Sequence, residues 1–513
     1  MRITIDRSLK LNHTPAGLLD MLVERFQMVN PKWLENQRMG RWNRGTKKTL
    51  RFYRRFGKSG IVLPRGYARQ LLLLLKRENL SYSMNDQRRL MQAVDFSFNG
   101  SLKSFQSAAV AKMVKKDFGT LNAPTGSGKT VMGLYLIAQR RQPTVVVVHT
   151  KDLAFQWIQR IEQFLSIPSD QVGLIGAGKK RIGDRITVAL VQSLYRMSDQ
   201  IVPHTGHIVV DECHRAPSRT FTEAVTAFDC HYMLGLSATP WRRDKLSQLI
   251  FWHLGDVHHE VDKAKLEEKG HILKADVVFR FTRFEPYFDP VNDYSRMLSE
   301  LTADDDRNRL IASDVEKEVR TGKGVCLVLS DRKKHCEILQ GILKYKFNVV
   351  SELLTGDLNN EGRKTVLERL NQGQVKVLIA TGQLIGEGFD CRDLSTLFMA
   401  TPIRFSGRVM QYLGRILRPA RGKARARVYD YVDERVAPLA AAAKARQRVY
   451  GGGGGSVKNK RGLSGKKGGR KKRGLQRTFD ATAKKATYFL RPPPTGREDG
   501  RCRPPGSNHG RNG

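Results

Sequence analysis

The stretch "LNAPTGSGKTVMG" at residues 121–133 constrains the fold of this chain more than any other feature. Glycine has no Cβ, so Gly126 and Gly128 let the backbone reach positive φ and converge several N–H groups on one anion. Lys129 then reaches the β- and γ-phosphates of a nucleoside triphosphate, and the Thr130 hydroxyl reaches Mg²⁺, with Thr125 and Ser127 completing the loop. A loop of this kind sits between a strand and a helix. After it, "TVMGLYLIAQRR" sets Val131, Leu134, Ile137 and Ala138 at helical spacing. Before it, "FGTLNAPT" leaves room for only a short strand, and Ala123 stands where the commonest form of the loop has its first glycine.

The surrounding texture agrees with such a unit. From about residue 101, short apolar runs alternate with helical stretches, the signature of doubly wound α/β folding. "TVVVVHT" (144–150), "ITVALVQS" (186–193) and "HIVVDE" (207–212) are runs of the sort buried in parallel sheets. After a less regular region, "GVCLVLS" (324–330), "FNVVSELL" (347–354), "VKVLIAT" (375–381) and "LSTLFMAT" (394–401) supply a second set. Two α/β domains in tandem are therefore expected, at 101–265 and 301–450, with a connector at 266–300.

A small basic domain, 1–100, precedes them. "AGLLDMLVERFQMV" and "VLPRGYARQLLLLLKREN" read there as amphipathic helices, the second started by proline. Between them, cations interleave with Trp42, Phe52, Tyr53 and Phe56. Two readings stay open: bases stacking on aromatics while cations meet phosphates, or the plain core of a small domain. The tail, 451–513, opens with five glycines and holds 17 Lys/Arg against 3 Asp/Glu. It has too little apolar surface to offset chain entropy, so disorder is expected, either as a tethered nucleic-acid arm or as a passive extension.

Charge narrows the function. A net charge of +41 and a pI near 10.3 predict a polyanionic partner, most often nucleic acid. No apolar run approaches the length of a membrane span, and "MRITIDRSLKLNH" alternates like a strand rather than a signal peptide, so a cytoplasmic location is expected. Six cysteines without a C-x-x-C pair argue against a zinc ribbon, and His253, His258 and His259 read as ordinary polar residues.

The deciding constellation lies downstream of the phosphate loop. "VVDECH" puts Asp211 and Glu212 at the end of a buried strand, where one carboxylate can bind Mg²⁺ and the other can orient a water. "LGLSATP" (234–240) is a further strand, "IATGQLIGEGFD" (379–390) runs into a Gly-rich loop, and "MQYLGRILRP" (410–419) sets Arg415 and Arg418 on one helical face. Two such arginines are either a surface ion-pair site or fingers reaching a γ-phosphate bound by the neighbouring domain.

From about 101 to 450, with its motifs in order, the chain resembles superfamily 2 helicases of the DExH-box class. Within that class it is similar to XPB-type repair helicases and type III restriction helicase subunits. The resemblance implies two RecA-like domains with ATP and Mg²⁺ in the cleft between them and nucleic acid crossing both. It assigns Gln106 to adenine, and Lys129 and Thr130 to phosphate and metal. It makes Asp211 a metal ligand and Glu212 the base that activates water. It makes His214 the link between the ATP site and the second domain, gives Ser237 and Thr239 the coupling of hydrolysis to strand movement, and puts Gly386, Gly388 and Asp390 in a loop that senses ATP and nucleic acid. Gln411, Arg415 and Arg418 form its last motif. "SATPWRRD" carries Arg242, Arg243 and Asp244 where XPB-type proteins have Arg-Glu-Asp. Backbone contacts from both domains are expected at Thr150, Gln192, Ser193, Ser330, Thr355, Gly356 and Thr381, with helix caps as the alternative use of these groups. An ATP-dependent DNA helicase or translocase, active as a monomer, is the leading expectation. An RNA helicase, the motor of a restriction complex with a separate nuclease, and an ATP-switched binding protein remain open.

Overall fold

The computed structural model describes residues 1–451 and 457–460, except 216–218, 239–246, 323, 383–390, 392, 404–408, 410, 411, 415, 418, 420–422, 424 and 425. Three larger sheets organise what is described.

The first α/β domain holds an eight-stranded sheet. Its order is 179–181, 173–176, 186–190, 144–148, 207–210, 232–237, 118–122 and 257–260. Every pairing is parallel except the hairpin between the first two. The central strands are apolar on both faces because helices cover both: all of Thr144–Val148 and His207–Val210 is buried. The short strand before the phosphate loop is Phe118–Asn122. It pairs in register with Tyr232–Ser237, placing Asn122 opposite Ser237, and Val210 lies opposite Gly235. That register delivers the phosphate loop, Asp211 and Ser237 to one edge of the sheet.

The second domain repeats the plan with seven strands, all parallel. Its order is 352–354, 377–381, 325–330, 394–399, 426–432, 275–281 and 457–460. Two boundaries differ from expectation. Ala275–Phe281, assigned to the connector, pairs along its whole length with Ala426–Val432 and belongs to this sheet. Its apolar run is short and flanked by charge, which hid it. The run at 347–354 yields a strand only from Glu352, because the helix Lys333–Phe347 ends on Asn348 at φ 54°. A buried network braces the domain: Arg307 donates to both oxygens of Asp433 and to the Ala400 carbonyl, and Thr282 donates to Asp433. Val457–Lys460, counted with the tail by composition, pairs with Val277–Arg280, while the remainder of the tail beyond Gly451 lies outside the described residues.

The N-terminal region forms a five-stranded sheet with the helices Ala16–Arg25 and Ala68–Arg77. Alternating Ile3, Ile5, Leu9 and Leu11 fill one face. The first expected helix stops at Arg25, and Gln27–Val29 turns into a two-stranded ribbon with Thr49–Arg51. The domain sits directly on the first α/β domain. A Cβ at Gly66 would meet the backbone of Trp252 and Gly255, and Arg65 donates to the Cys230 carbonyl at 2.8 Å. Residues beyond Asp86 continue as a strap along the first α/β domain, where Val94 N donates to the Arg141 carbonyl and Asn99 N to that of Phe164. The aromatics divide: Phe52 lies 5.6 Å from Trp252 and Tyr53 packs on the same core, whereas Trp42 is 86% exposed. No helix among the described residues is long and apolar enough to cross a membrane.

Candidate active site

The phosphate loop is tied to its neighbours and to itself by hydrogen bonds. Ala123 N donates to the Ser237 carbonyl at 2.9 Å, tying the loop to the neighbouring strand. Gly126 and Gly128 take φ of 88° and 83°, a region costly for any residue with a Cβ. Ser127 folds back, its backbone N and its hydroxyl both donating to the Pro124 carbonyl. The helix Lys129–Arg140 begins directly after, so its first turn presents unpaired N–H groups and the positive end of its dipole to the same place.

Gln106 is buried beneath the loop. Its Oε1 accepts from Lys103 N at 2.9 Å and its Nε2 donates to the Ser127 carbonyl at 2.8 Å. A Cβ on Gly128 would collide with that amide. The side chain that resemblance assigns to adenine therefore also props the loop.

Lys129 Nζ lies 3.3 Å from the Ala123 carbonyl and 3.8 Å from Glu212 Oε1. Asp211 accepts from the indole of Trp157 at 2.8 Å on Oδ2, and from Glu212 N at 2.9 Å on Oδ1. Burial and then the charge of Glu212 push its carboxyl up to about 6, against the pull of Lys129 and Trp157. Glu212 itself sits at φ 47°, a strained conformation of the kind that clusters at working sites. His214 Nδ1 is 3.2 Å from both Glu212 and the Ser237 hydroxyl. One chain of contacts thus runs from Lys129 through Glu212 and His214 to Ser237, and Ser237 holds the start of the phosphate loop.

The donor set fits a divalent cation. Two adjacent carboxylates face one ammonium in a desolvated setting, and the half-buried Thr130 stands on the first turn beside it. Thr130 and Asp211 would hold the ion, which when bound offsets negative charge on the phosphates.

The second domain closes over the loop. In the helical stretch 412–414, Gly414 lies so close to Thr125 that an added Cβ would collide with the threonine side chain. Pro124, Lys263, Ile272, Leu413 and Leu417 line the rest of this contact, leaving a gap of about 10 Å³. Leu273 N donates to the Leu417 carbonyl at 2.8 Å, and Tyr412 Oη donates to the Gly382 carbonyl at 2.7 Å. Thr239, Gly386, Gly388, Asp390, Gln411, Arg415 and Arg418 lie outside the described residues, as do Arg242, Arg243 and Asp244.

The expected nucleic-acid contacts fall at strand ends and helix starts. Thr150 caps the helix Lys151–Leu165, accepting from Leu153 N. Gln192 is exposed and Ser193 half-buried on the short helix Val191–Arg196. Ser330 is opposite Thr381 across the second sheet, and Thr355 and Gly356 follow the adjacent strand. The Ser330 side chain is buried, bonded to Arg332 N and His335, and the Thr355 hydroxyl donates to Asp357 at 3.4 Å. Ser330 thus holds the backbone before the helix Lys333–Phe347, and Thr355 bonds a side chain of its own turn.

Trp157 and Gly414 were not singled out by sequence reasoning. Trp157 ends the segment "HTKDLAFQW" (149–157) that carries the expected contact Thr150, and only the fold shows its indole on a carboxylate 54 residues away. Gly414 lies between the glutamine and the first arginine of the last motif.

A phosphate loop facing a strand-end Asp-Glu pair, beneath the helix of a second parallel-sheet domain, defines a P-loop NTPase with two RecA-like domains. Residues 87–242 match the type III restriction enzyme res subunit model, and residues 310–420 match the helicase conserved C-terminal domain. The DNA 3'-5' translocase XPB2 of Sulfurisphaera tokodaii is 25% identical over 350 residues, which span 62% of this chain and 78% of that protein. A protein of Acanthamoeba polyphaga mimivirus named an ATP-dependent RNA helicase is 26% identical over 354 residues, 66% of this chain and 65% of its own length. Among solved structures, a fragment assigned to the HsdR subunit of a type I restriction enzyme from Vibrio vulnificus superposes with a TM-score of 0.53 at 17% identity, covering 71% of this chain and 68% of that one. The two domain matches and the XPB-type relatives support a superfamily 2 helicase, an ATP-hydrolysing enzyme related to XPB and the restriction helicases.

The indole gives a test of the site. Because its N–H favours the ionised carboxylate, Trp157→Phe should raise the Asp211 pKa further above 6. A proton on Asp211 would compete with a divalent cation held there, so ATPase activity in the parent should fall as pH drops through about 6 and recover with added Mg²⁺. In Trp157→Phe the acid limb should move to higher pH. A purely structural loss would lower activity at every pH without moving the midpoint.

Proposed function

We propose that this chain is an ATP-dependent DNA helicase or translocase. The observation that carries the reading is that the phosphate loop and the helix of the last motif meet at Thr125 and Gly414, so that one nucleotide site is built from both domains. The loop N–H groups and Lys129 take the phosphates, and Glu212 accepts the proton of the attacking water. His214 and Ser237 pass the state of the site to the strand edge. ATP draws the domains together and its hydrolysis releases them, and nucleic acid crossing both is moved by the alternation. The names of the XPB-type relatives support DNA as the track; the mimivirus relative's name makes RNA the arm to test against it.

The deciding measurement is ATP turnover with single-stranded DNA, duplex DNA or RNA added, followed by strand displacement on the stimulating substrate. Stimulation by DNA above RNA is expected. Stimulation by RNA alone would replace DNA with RNA in the proposal, and turnover without displacement would favour translocation.

The tail has its own test. Deleting residues 461–513 spares the edge strand Val457–Lys460 and removes most of the tail's excess cations. Affinity for DNA should fall and its dependence on salt should flatten, since fewer counterions are released, while turnover at saturating DNA stays near the parent's. An unchanged salt slope would make the tail a passive extension.

A further inference from the structure

We propose that residues 27–58 form a second nucleic-acid site, in which Trp42 stacks on an unpaired base where a duplex opens and the surrounding cations hold the backbone. This rests on the reading of the chain as a nucleic-acid motor and adds a contact outside the motor domains.

The segment from Gln27 to Arg51 folds without a core of its own. It contains the ribbon Gln27–Val29 with Thr49–Arg51 and the helix Pro31–Arg38, yet none of its residues is buried. Its backbone is nonetheless built rather than slack. Asn30 caps the helix through Lys32 N and donates to the Lys47 carbonyl at 2.9 Å. Asn43 donates to the Trp33 carbonyl at 3.1 Å and accepts from Asn36 at 3.0 Å, which fixes the loop carrying Trp42. Trp42 is 86% exposed and Met39 58%, a costly display of apolar surface for a segment so firmly tied.

The charge around it is almost all of one sign, with Glu35 the single carboxylate between residues 27 and 58. Between residues 38 and 58 there are nine Lys/Arg, all exposed, and no Asp or Glu. None of the nine makes an ion pair among the described residues. An exposed indole in a stretch of cations without ion pairs, one of which, Lys48, lies 5.3 Å over the Trp33 ring, fits a partner with a π-face and a dense run of phosphates. A fully paired duplex hides its base faces, so stacking requires an end, a fork or a single strand. The arm is also well placed to report on the motor, because its domain is clamped to the first α/β domain through Gly66, Arg65 and the pairing of Phe26 with Trp252 at 4.5 Å.

The test uses the full chain and two DNA probes, a fork with unpaired arms and a fully paired duplex of the same length. Trp42→Ala should weaken binding to the fork by about tenfold or more, the range for losing one base–aromatic stack, and change duplex binding little. The triple variant Arg41→Glu, Arg44→Glu, Lys47→Glu should lower the slope of log affinity against log salt by about two to three on both probes. Since no side chain of Gln27–Arg51 is buried, both variants should keep the parent's circular dichroism and its ATPase rate without DNA. Parent-like binding and slope in both variants would overturn the proposal. In a parallel assay with polyglutamate as a third probe, loss of polyglutamate binding with DNA binding intact would also overturn it and make an acidic protein the occupant. A parent that binds neither DNA nor RNA would instead defeat the reading of the chain as a nucleic-acid motor.

Discussion

Glu212→Gln should retain ATP and turn it over about 10²–10⁴ times more slowly than the parent, the range for removing a positioned general base. Glutamine keeps the size of the side chain and its reach toward Lys129 and His214, so the contacts at 3.8 and 3.2 Å survive in neutral form. What is lost is the capacity to take a proton. Removing this charge also removes the neighbour that helps hold Asp211 partly protonated, so nucleotide–metal affinity should hold or rise. Lys129→Ala should behave differently: it deletes the ammonium that meets the phosphates, and both binding and turnover should collapse. Equilibrium binding of a labelled nucleotide, measured beside single-turnover hydrolysis, separates the two. Parent-rate hydrolysis by Glu212→Gln would remove Glu212 as the base.

Much of this site was legible in the sequence because its chemistry is local. Gly126, Gly128, Lys129 and Thr130 are neighbours along the chain, and the loop needs them for reasons of backbone geometry alone. Asp211 and Glu212 end a run of buried residues, which marks a strand edge. The strand Ala275–Phe281 was not legible, since its identity depends on Ala426–Val432 pairing beside it across some 150 residues. Trp157 was equally hidden: a tryptophan on the buried face of a helix reads as core, and core it is, with one polar atom turned to a carboxylate. The aromatics at 42–56 could not be sorted by composition either, because Phe52 and Trp42 share the same cationic surroundings. Only the position of Trp252 separates them. Ser330 and Thr355 show the same limit in reverse, polar residues at strand ends whose hydroxyls serve the turn that follows.

Arg415→Ala and Arg418→Ala should each cut nucleic-acid-stimulated turnover at least about a hundredfold. An arginine that stabilises charge on a transferring phosphoryl group is worth about 10³–10⁵ in rate, or roughly 4–7 kcal/mol of barrier; the smaller figure allows one finger to cover partly for the other. A surface ion pair is worth about 0–1 kcal/mol, a few-fold at most. The two readings of these arginines therefore differ by orders of magnitude. The structure adds a third variant that probes the same contact without touching charge. Gly414 precedes Arg415 and rests on Thr125 of the phosphate loop, where a methyl group has no room. Gly414→Ala should hold the last motif away from the loop and lower stimulated turnover, while ATP binding to the first domain persists. If both arginine variants fall only two- or threefold and Gly414→Ala turns over at the parent rate, the domains do not share the nucleotide. Alternating closure then has no site through which to act.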